Sequence, residues 1–249
     1  MHTPFNFFRG SIRVSVRTAL IVFAWAVATA ASADTTADGS AQQALLSNHL
    51  AVGDVVFIRV NAKPFREVAS ATNSWTNHVG VVIATNGTEP EIAESTFPFS
   101  RATTLSKFVA RSEHGRYAVA RLKAELTPEQ QVRIATAAQK RFGIFYDTGF
   151  DLHSKRQFCS RFVREVLAEA TDVQVGEVET FANLLARNPN TNLHFWKIWY
   201  FGHIPWQRET VTPASLLTSP NLQLVYEHPV SSGLDAEPGP SSSPQAILE

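Results

Sequence analysis

Phe158-Cys159-Ser160-Arg161-Phe162-Val163-Arg164-Glu165-Val166-Leu167 decides the reading of this chain. It contains Cys159, the only cysteine among 249 residues. Apolar residues recur from it at Phe162, Val163, Val166, Leu167 and Ala170, a spacing that traces one face of an α-helix. The pattern predicts a helix with the cysteine at or near its start. A sulfur there lies beside backbone N–H groups that lack intrahelical partners and at the positive end of the helix dipole, which favours thiolate over thiol. Thiolate is the form that attacks carbonyl groups. A lone cysteine on a core-facing stripe is more often a small buried hydrophobe, so the rest of the chain has to decide.

Working outward, Thr127-Pro128-Glu129-Gln130 predicts a helix start: an N-cap threonine, proline at the first helical position and glutamine for a capping box. That helix is expected to reach about Phe142, with Gly143 as its C′ residue. Tyr146-Asp147 and Phe150 lie between it and the cysteine helix. Further upstream, Gly53-Asp54 opens a strand from Val55 to Val60, apolar enough to be central. Asn61 to Asn77 reads as a loop with one helical turn near Phe65 to Ala71. His78 to Ala84 is the next strand. Asn86-Gly87 is a hairpin signal, because both central residues of a type I′ turn need positive φ, and Glu91 to Ser95 returns as the partner. A short helix over Leu105 to Ala110 and a strand over Tyr117 to Leu122 follow. Downstream of the cysteine, Phe181 to Arg187 and Pro213 to Thr218 read as helices and Leu222 to Tyr226 as a last strand. Phe195-Trp196-Lys197-Ile198-Trp199-Tyr200-Phe201, with Trp206 close behind, is an aromatic cluster that either covers the sheet or lines a pocket for an apolar acyl chain. Core packing is the safer expectation, because aromatic rings bury large areas wherever they sit.

The net charge is zero and 44% of residues are hydrophobic, a globular composition with no basic excess pointing to nucleic acid. Arg9, Arg13 and Arg17 precede an uncharged run from Thr18 to Ala33, and Ala31-Ser32-Ala33 is an A-x-A cleavage site. This is the layout of a secretory signal peptide. An uncleaved membrane anchor is the alternative, but the apolar core falls short of the roughly 20 residues that span a bilayer. Cleavage after Ala33 takes three arginines from 22 basic residues and leaves 19 against 22 acidic ones, net −3. The layout expected is a signal peptide over 1–33, a linker and short helix (Ala41 to Leu50) over 34–50, one domain over 51–227 and a disordered tail over 228–249. An unpaired thiol in an exported protein is a liability unless it does chemistry.

A nucleophilic cysteine needs a base and a polar group to orient that base. His78 opens a strand, and Glu94 ends the partner strand 16 residues later. Pairing about Asn86-Gly87 puts position 78 roughly opposite position 95, so Glu94 or a neighbour ends beside His78. A register slip would send Glu94 to the other face. Alone, His78 is a surface histidine at a strand end and Glu94 a solvated acid; together with Cys159 they are less easily dismissed. His153, His194 and His203 lack zincin spacing, and a single cysteine cannot build a thiolate-rich zinc site, so no metal or other cofactor is expected.

Gly53-Asp54-Val55-Val56-Phe57, Trp75-Thr76-Asn77-His78-Val79-Gly80-Val81-Val82, Ala93-Glu94-Ser95, Tyr146-Asp147 and Phe158-Cys159-Ser160-Arg161-Phe162-Val163 together resemble the permuted papain-like amidohydrolases of the YaeF/YiiX/YebB type, circularly permuted relatives of the NlpC-type cell-wall hydrolases. The order His, acid, Cys is the permuted one. The resemblance covers about Ala51 to Ala170, and the stretch from Val211 to Tyr226 is similar to the YebB branch. It implies an α+β fold, a small antiparallel sheet packed against helices. It also implies Cys159 as nucleophile, His78 as general base and then acid, Glu94 as the group orienting His78, and Tyr146 as a residue lining the site. An oxyanion donor would come from the Cys159 backbone N–H, with the second donor open. Relatives often carry Glu after Cys-Ser where this chain has Arg161, a change expected to bear on substrate charge preference and not on the nucleophile.

The function expected is an exported cysteine amidohydrolase, periplasmic or secreted, acting on peptidoglycan peptides or N-acyl amines through a thioester acyl-enzyme. Its partner would be a small-molecule, peptide or lipid amide of the cell envelope, with membrane association only if the leader is uncleaved. A thiol acyltransferase on lipid and a non-catalytic envelope-binding protein are the alternatives.

Overall fold

Val55–Val60 (β1) is apolar at each of its first four positions, and Val55, Val56, Phe57 and Ile58 are all fully buried. A strand with no polar face has to be covered on both sides. The computed structural model, which describes residues 49–189 and 191–228, shows how. β1 lies within a six-stranded sheet. The strands are β1, His78–Ala84 (β2), Glu91–Glu94 (β3), Arg101–Thr104 (β4), Ser112–Leu122 (β5), Val178–Thr180 (β6), Glu209–Val211 (β7) and Leu222–His228 (β8). The main sheet runs β4-β3-β2-β1-β5-β8, every ladder antiparallel, and β6 and β7 pair separately. The helices are Lys63–Ala71 (α1), Leu105–Val109 (α2), Pro128–Gln139 (α3), Cys159–Thr171 (α4), Phe181–Arg187 (α5), Leu193–Trp199 (α6) and Pro213–Leu217 (α7).

One face of the sheet carries Val55, Phe57, Val79 and Val81, and α3 and α4 cover it. Phe162, Val163, Val166 and Leu167 of α4 are all fully buried there; each contributes roughly 1.5–3 kcal/mol relative to exposure. This is the stripe the cysteine stretch predicts. The other face carries Val56, Ile58, Val82 and Ile92 under Leu105 and Phe108 of α2. A third cluster, Ala71, Leu185, Trp196 and Ile204, joins α1, α5 and α6 away from both sheet faces.

At α3, Thr127 and Gln130 form the expected capping box, with Pro128 in the first turn. Gly53 holds φ 95°, and a Cβ there would come within 2.6 Å of a Leu126 methyl, so the bend into β1 requires glycine.

The β2–β3 connection departs from expectation. Neither Asn86 nor Gly87 adopts the positive φ of a type I′ turn. Residues 85–90 form a longer loop, closed by the Ser106 N–H donating to the Glu89 carboxylate and the Leu105 N–H donating to the Pro90 carbonyl at 2.9 Å. The ladder pairs Val81 with Ala93 and Val82 with Ile92, then shifts before Ala84. A turn centred on Asn86-Gly87 would have put Val81 opposite Ile92. The slip is one residue and persists toward His78, which puts Glu94 opposite Gly80 and on the same face of the sheet as His78. α1 also runs for nine residues instead of one turn. β4, β6 and β7 are additions: three or four residues each, too short and polar to show strand alternation. The signal peptide, the linker, the helix expected from Ala41 (up to residue 48) and the tail beyond 228 lie outside the described residues. Among the described residues no helix is long and apolar enough to cross a membrane.

Candidate active site

Cys159 is the first residue of α4 and is 4% exposed. Phe158, in extended conformation, is the N-cap and supplies no side-chain hydrogen bond. The first N–H groups of the helix therefore lack side-chain or intrahelical partners beside the sulfur. Backbone and side-chain bonds fix this end of α4 in place. Ser160 donates from Oγ to the Val211 carbonyl of β7 at 2.7 Å. Ser95, one residue past β3, donates to the Gln157 carbonyl at 2.9 Å. Gln157 Nε2 donates to Glu165, about two turns further along, at 2.7 Å.

His78 opens β2 opposite Ile58 of β1. Thr76 and Asn77 set its approach: Thr76 Oγ1 donates to the Ile58 carbonyl, and the Asn77 amide exchanges two hydrogen bonds with the Val60 backbone. The imidazole is 1% exposed. Phe108 of α2 stacks on it with centroids 5.6 Å apart, and Phe65 of α1 meets it edge-on at 5.8 Å. Its Nε2 lies 2.7 Å from Glu94 Oε2.

Glu94 is fully buried. Arg111 Nη2 donates to the same Oε2 at 2.7 Å, and Arg101 approaches Oε1 at 3.5 Å. Arg101 is the direct cross-strand neighbour of Glu94 in the β3–β4 ladder, and the Arg111 guanidinium lies over the Phe108 ring, 5.0 Å from its centroid. Burial alone would raise the Glu94 pKa. The hydrogen bond and charge of His78, with Arg111 behind them, outweigh it and hold the carboxyl down at about 2. An ionised Glu94 accepts, so the proton in its bond with His78 sits on Nε2, leaving Nδ1 to exchange a proton with Cys159. Burial lowers the His78 pKa, but the negative charge at Cys159, its hydrogen bond and Glu94 together push it up to about 9. Nδ1 has no partner of good geometry among the described residues, although Cys159 is near enough to act on its titration. Such contacts are commonly loose before substrate arrives.

Tyr146 reaches the same place along a different strand of chain. Its N–H donates to the Pro98 carbonyl at 2.9 Å, and a parallel bridge pairs it with Gln157. Asp147 accepts from the backbone N–H of Gly149 and Asp151 and so builds the loop that follows. The Tyr146 hydroxyl is buried with no partner among the described residues. Burial, then the charge at Cys159, push its pKa well above the ordinary tyrosine value, so it stays a donor.

The four residues singled out from sequence thus come together. Those missed are Arg111, Arg101, Phe108 and Phe65. The only available signal was Arg101, readable as a cross-strand partner once β4 is recognised. Arg161 has a structural role: its guanidinium donates to Glu165 at 2.6 Å and to the carbonyls of Ser154 and Arg156, stapling the loop ahead of Cys159. It does not line the pocket beside the sulfur. The aromatic cluster takes both of the roles left open for it at Trp196, which is buried in the off-sheet cluster and lines that pocket, while Ile198, Phe201 and Trp206 are exposed. Among the described residues no three His, Cys, Asp or Glu side chains converge as metal ligands.

Comparison with known proteins gives the family of the chain. The family model described as permuted papain-like amidase enzyme, YaeF/YiiX, matches residues 49–226. The uncharacterized protein YiiX of Escherichia coli is 28% identical over 173 residues, which is 70% of this chain and 84% of YiiX. A crystal structure of metalloprotein YiiX from Escherichia coli O157:H7 aligns with a TM-score of 0.66 at 28% identity, covering 71% of this chain and 97% of that one.

Proposed function

This chain belongs to the permuted papain-like amidases of the YaeF/YiiX type, and we propose that it is an exported cysteine amidohydrolase working through Cys159, His78 and Glu94. Family membership supports amidohydrolase chemistry in general. The observation that carries the finer reading is a buried imidazole tied at Nε2 to an ionised carboxylate, with Nδ1 unpartnered and Cys159 in reach.

The steps follow from that geometry. His78 takes the thiol proton on Nδ1, and the Cys159 sulfur attacks the amide carbonyl carbon, forming a C–S bond. The carbonyl electrons move to oxygen, where the Cys159 N–H and the Tyr146 hydroxyl donate to the oxyanion. The C–N bond then breaks as His78 gives its proton to the amine, leaving a thioester. Water attacks the thioester, losing a proton to His78. The C–S bond breaks, the carboxylic acid leaves, and the proton returns to sulfur. Glu94 holds the imidazole in one tautomer and one orientation throughout. Arg111 holds Glu94.

The YiiX crystal structure is that of a metalloprotein by name. In this chain Nε2 of His78 is committed to Glu94, which leaves Nδ1 and the Cys159 sulfur as available donors. Two protein ligands fall short of the three or four that hold a catalytic or structural zinc, and no step is routed through a metal. The arginine-flanked apolar run ending at Ala31-Ser32-Ala33 supports export, and hence a cell-envelope substrate.

The test is the rate of Cys159 alkylation by iodoacetamide across pH, in wild type and in His78→Ala. The expected result is a fall of about tenfold or more at neutral pH in the variant, with a displaced pH profile. A rate indifferent to His78 in folded protein overturns the reading.

A further inference from the structure

We propose that Phe108 is a positioning residue of the reaction: its ring face holds the His78 imidazole in its protonated form and thereby favours the Cys159 thiolate. The inference rests on the amidohydrolase reading and deepens it. Four contacts close a circuit. His78 Nε2 lies 2.7 Å from Glu94 Oε2, and Arg111 Nη2 donates to that same oxygen at 2.7 Å. The Arg111 guanidinium lies over the Phe108 ring, 5.0 Å from its centroid. Phe108 stacks in turn on His78, with centroids 5.6 Å apart and planes 28° from parallel. One ring thus lies against a guanidinium and against the group that becomes an imidazolium when Cys159 gives up its proton. Both lie within the roughly 6 Å over which an aromatic face attracts a cation.

The sheet is shaped for that ring. Gly80 lies two residues after His78 on β2, so the two share a face of the sheet. Gly80 does not have a positive φ, so its backbone would accept any residue. The space would not. A Cβ at position 80 would lie 3.0 Å from a Phe108 ring carbon and 2.5 Å from an Ile92 methyl. The missing side chain is the seat of the Phe108 ring. Val79 and Val81, on either side of Gly80, belong instead to the core under α3 and α4. Phe108 is fully buried, and Leu105 of the same short helix packs beside it against this face.

What the face does follows from the charges. Transfer of the Cys159 proton to Nδ1 creates a positive imidazole that is 1% exposed, so water cannot solvate it. Glu94 stabilises that charge from the edge of the imidazole, at Nε2. The ring of Phe65 stands perpendicular to the imidazole. Phe108, stacked on it, presents the electron-rich face of a benzene ring. An aliphatic side chain in its place would exclude water equally well but would offer the imidazolium nothing. The charged and titratable groups about His78 are Glu94 of β3, Arg111 from the turn after α2, Arg101 of β4 behind Glu94, and Cys159 of α4 with the Tyr146 hydroxyl beyond it. α1 contributes the uncharged Phe65 and β1 the uncharged Ile58. All of these charges remain when only the ring of Phe108 is altered, so such a change isolates the face.

The experiment replaces Phe108 in the full-length chain with mono-, di- and trifluorinated phenylalanine. Fluorine withdraws electrons from the ring face and changes its size little. The readout is the low-pH midpoint of Cys159 alkylation by iodoacetamide, the pH at which thiolate forms. It is expected to climb with each fluorine, by about half a unit to one unit in total, so that the rate below the midpoint falls about three- to tenfold. Phe108→Leu, which keeps an apolar side chain without a face, is expected to match the trifluorinated protein. Gly80→Ala, which crowds the ring from the sheet, is expected to move the midpoint in the same direction. The fluorinated series stands whether or not either variant folds. A packing role alone would leave that series flat. A flat series, with alkylation still dependent on His78, overturns the role of Phe108 and leaves the amidohydrolase reading intact. A slope that vanishes in Arg111→Leu does the same, since the face would then serve the guanidinium alone. Alkylation indifferent to His78→Ala overturns both.

Discussion

Asp54 and Glu94 are both fully buried carboxylates, and each takes a 2.7 Å hydrogen bond from an arginine, yet one is closed and the other open. Asp54 lies just before β1. Arg121 grips it with two bonds, at 2.7 and 2.8 Å, and the Ala51 N–H donates a third at 2.8 Å. Arg121 is bound in turn by the His49 carbonyl. Every group in that set ends on backbone or on its partner, so the set only ties the start of β1 to the end of β5, two inner strands of the sheet. Glu94 lies toward the other end of the β1–β2 ladder, beside His78, which faces Ile58. Its third partner is a histidine whose far nitrogen has no bond of good geometry. A buried carboxylate–arginine pair by itself is weak evidence of anything but geometry. What marks the second pair as chemical is the unsatisfied atom at its end, next to a sulfur.

The sharpest way to break this contrast is to neutralise each carboxylate without changing its shape. Glu94→Gln removes the charge that holds His78 in one tautomer and, if the triad reading is right, lowers acyl-transfer rates by about 10⁴-fold, as loss of a triad carboxylate does elsewhere. The fold should persist, because a glutamine can still meet both His78 and Arg111. Amide or ester turnover together with far-UV circular dichroism reads both effects. A loss below about tenfold would reduce Glu94 to a second Asp54. The converse variant, Asp54→Asn, is expected to cost about 3–5 kcal/mol of stability, the usual loss on removing one partner of a buried pair. Partial hydration of Arg121, which is 36% exposed, puts the result toward the lower figure. Urea denaturation measures it. Per folded molecule, the Cys159 alkylation rate should stay within about threefold of wild type, since Asp54 touches nothing near the sulfur.

These two sites also show what could be read from the chain beforehand. The cysteine helix, β1, β2 and the capping box of α3 were legible because each rests on local periodicity or local hydrogen bonding. His78 and Glu94 were brought together correctly through a hairpin whose turn was wrong. The one-residue slip is itself what places Glu94 opposite Gly80 and on the His78 face, where the expected turn would have placed Ser95. Arg111 was illegible. It reaches Glu94 by way of α2 and the turn after it, a tertiary route that leaves no periodic trace. α1 was underestimated because its N-cap, Ala62, makes no side-chain bond, so Pro64 in the first turn had no capping residue beside it to mark a helix start. That helix supplies Phe65, Val68 and Ala71 to the pocket beside Cys159. Of the elements missed or shortened, α1 and β7 line that pocket and β4 brings Arg101 to Glu94, while α5, read correctly, lines the pocket as well.

The last contrast between the two carboxylates is their dependence on pH, the smallest of the effects. The folded-state pKa of His78 is raised to about 9 from an ordinary 6.5, so its contribution to stability is full below 6.5 and is lost as pH rises through about 9. Glu94 is depressed to about 2 from 4.5; its contribution is full above 4.5 and is lost as pH falls through about 2. Part of each shift is the same His78–Glu94 interaction seen from its two sides, so the two are not summed. The two are of equal size, and either corresponds to at most about 3 kcal/mol. In urea denaturation, the stability of wild type relative to His78→Gln should therefore decline between pH 6.5 and 9.5. The difference between the two proteins matters, because other groups titrating in that range cancel in it. Parallel curves over that range would mean that the imidazole is not held in its charged form by its neighbours, and the open end of the Glu94 site would then be no more poised for proton transfer than the closed set around Asp54.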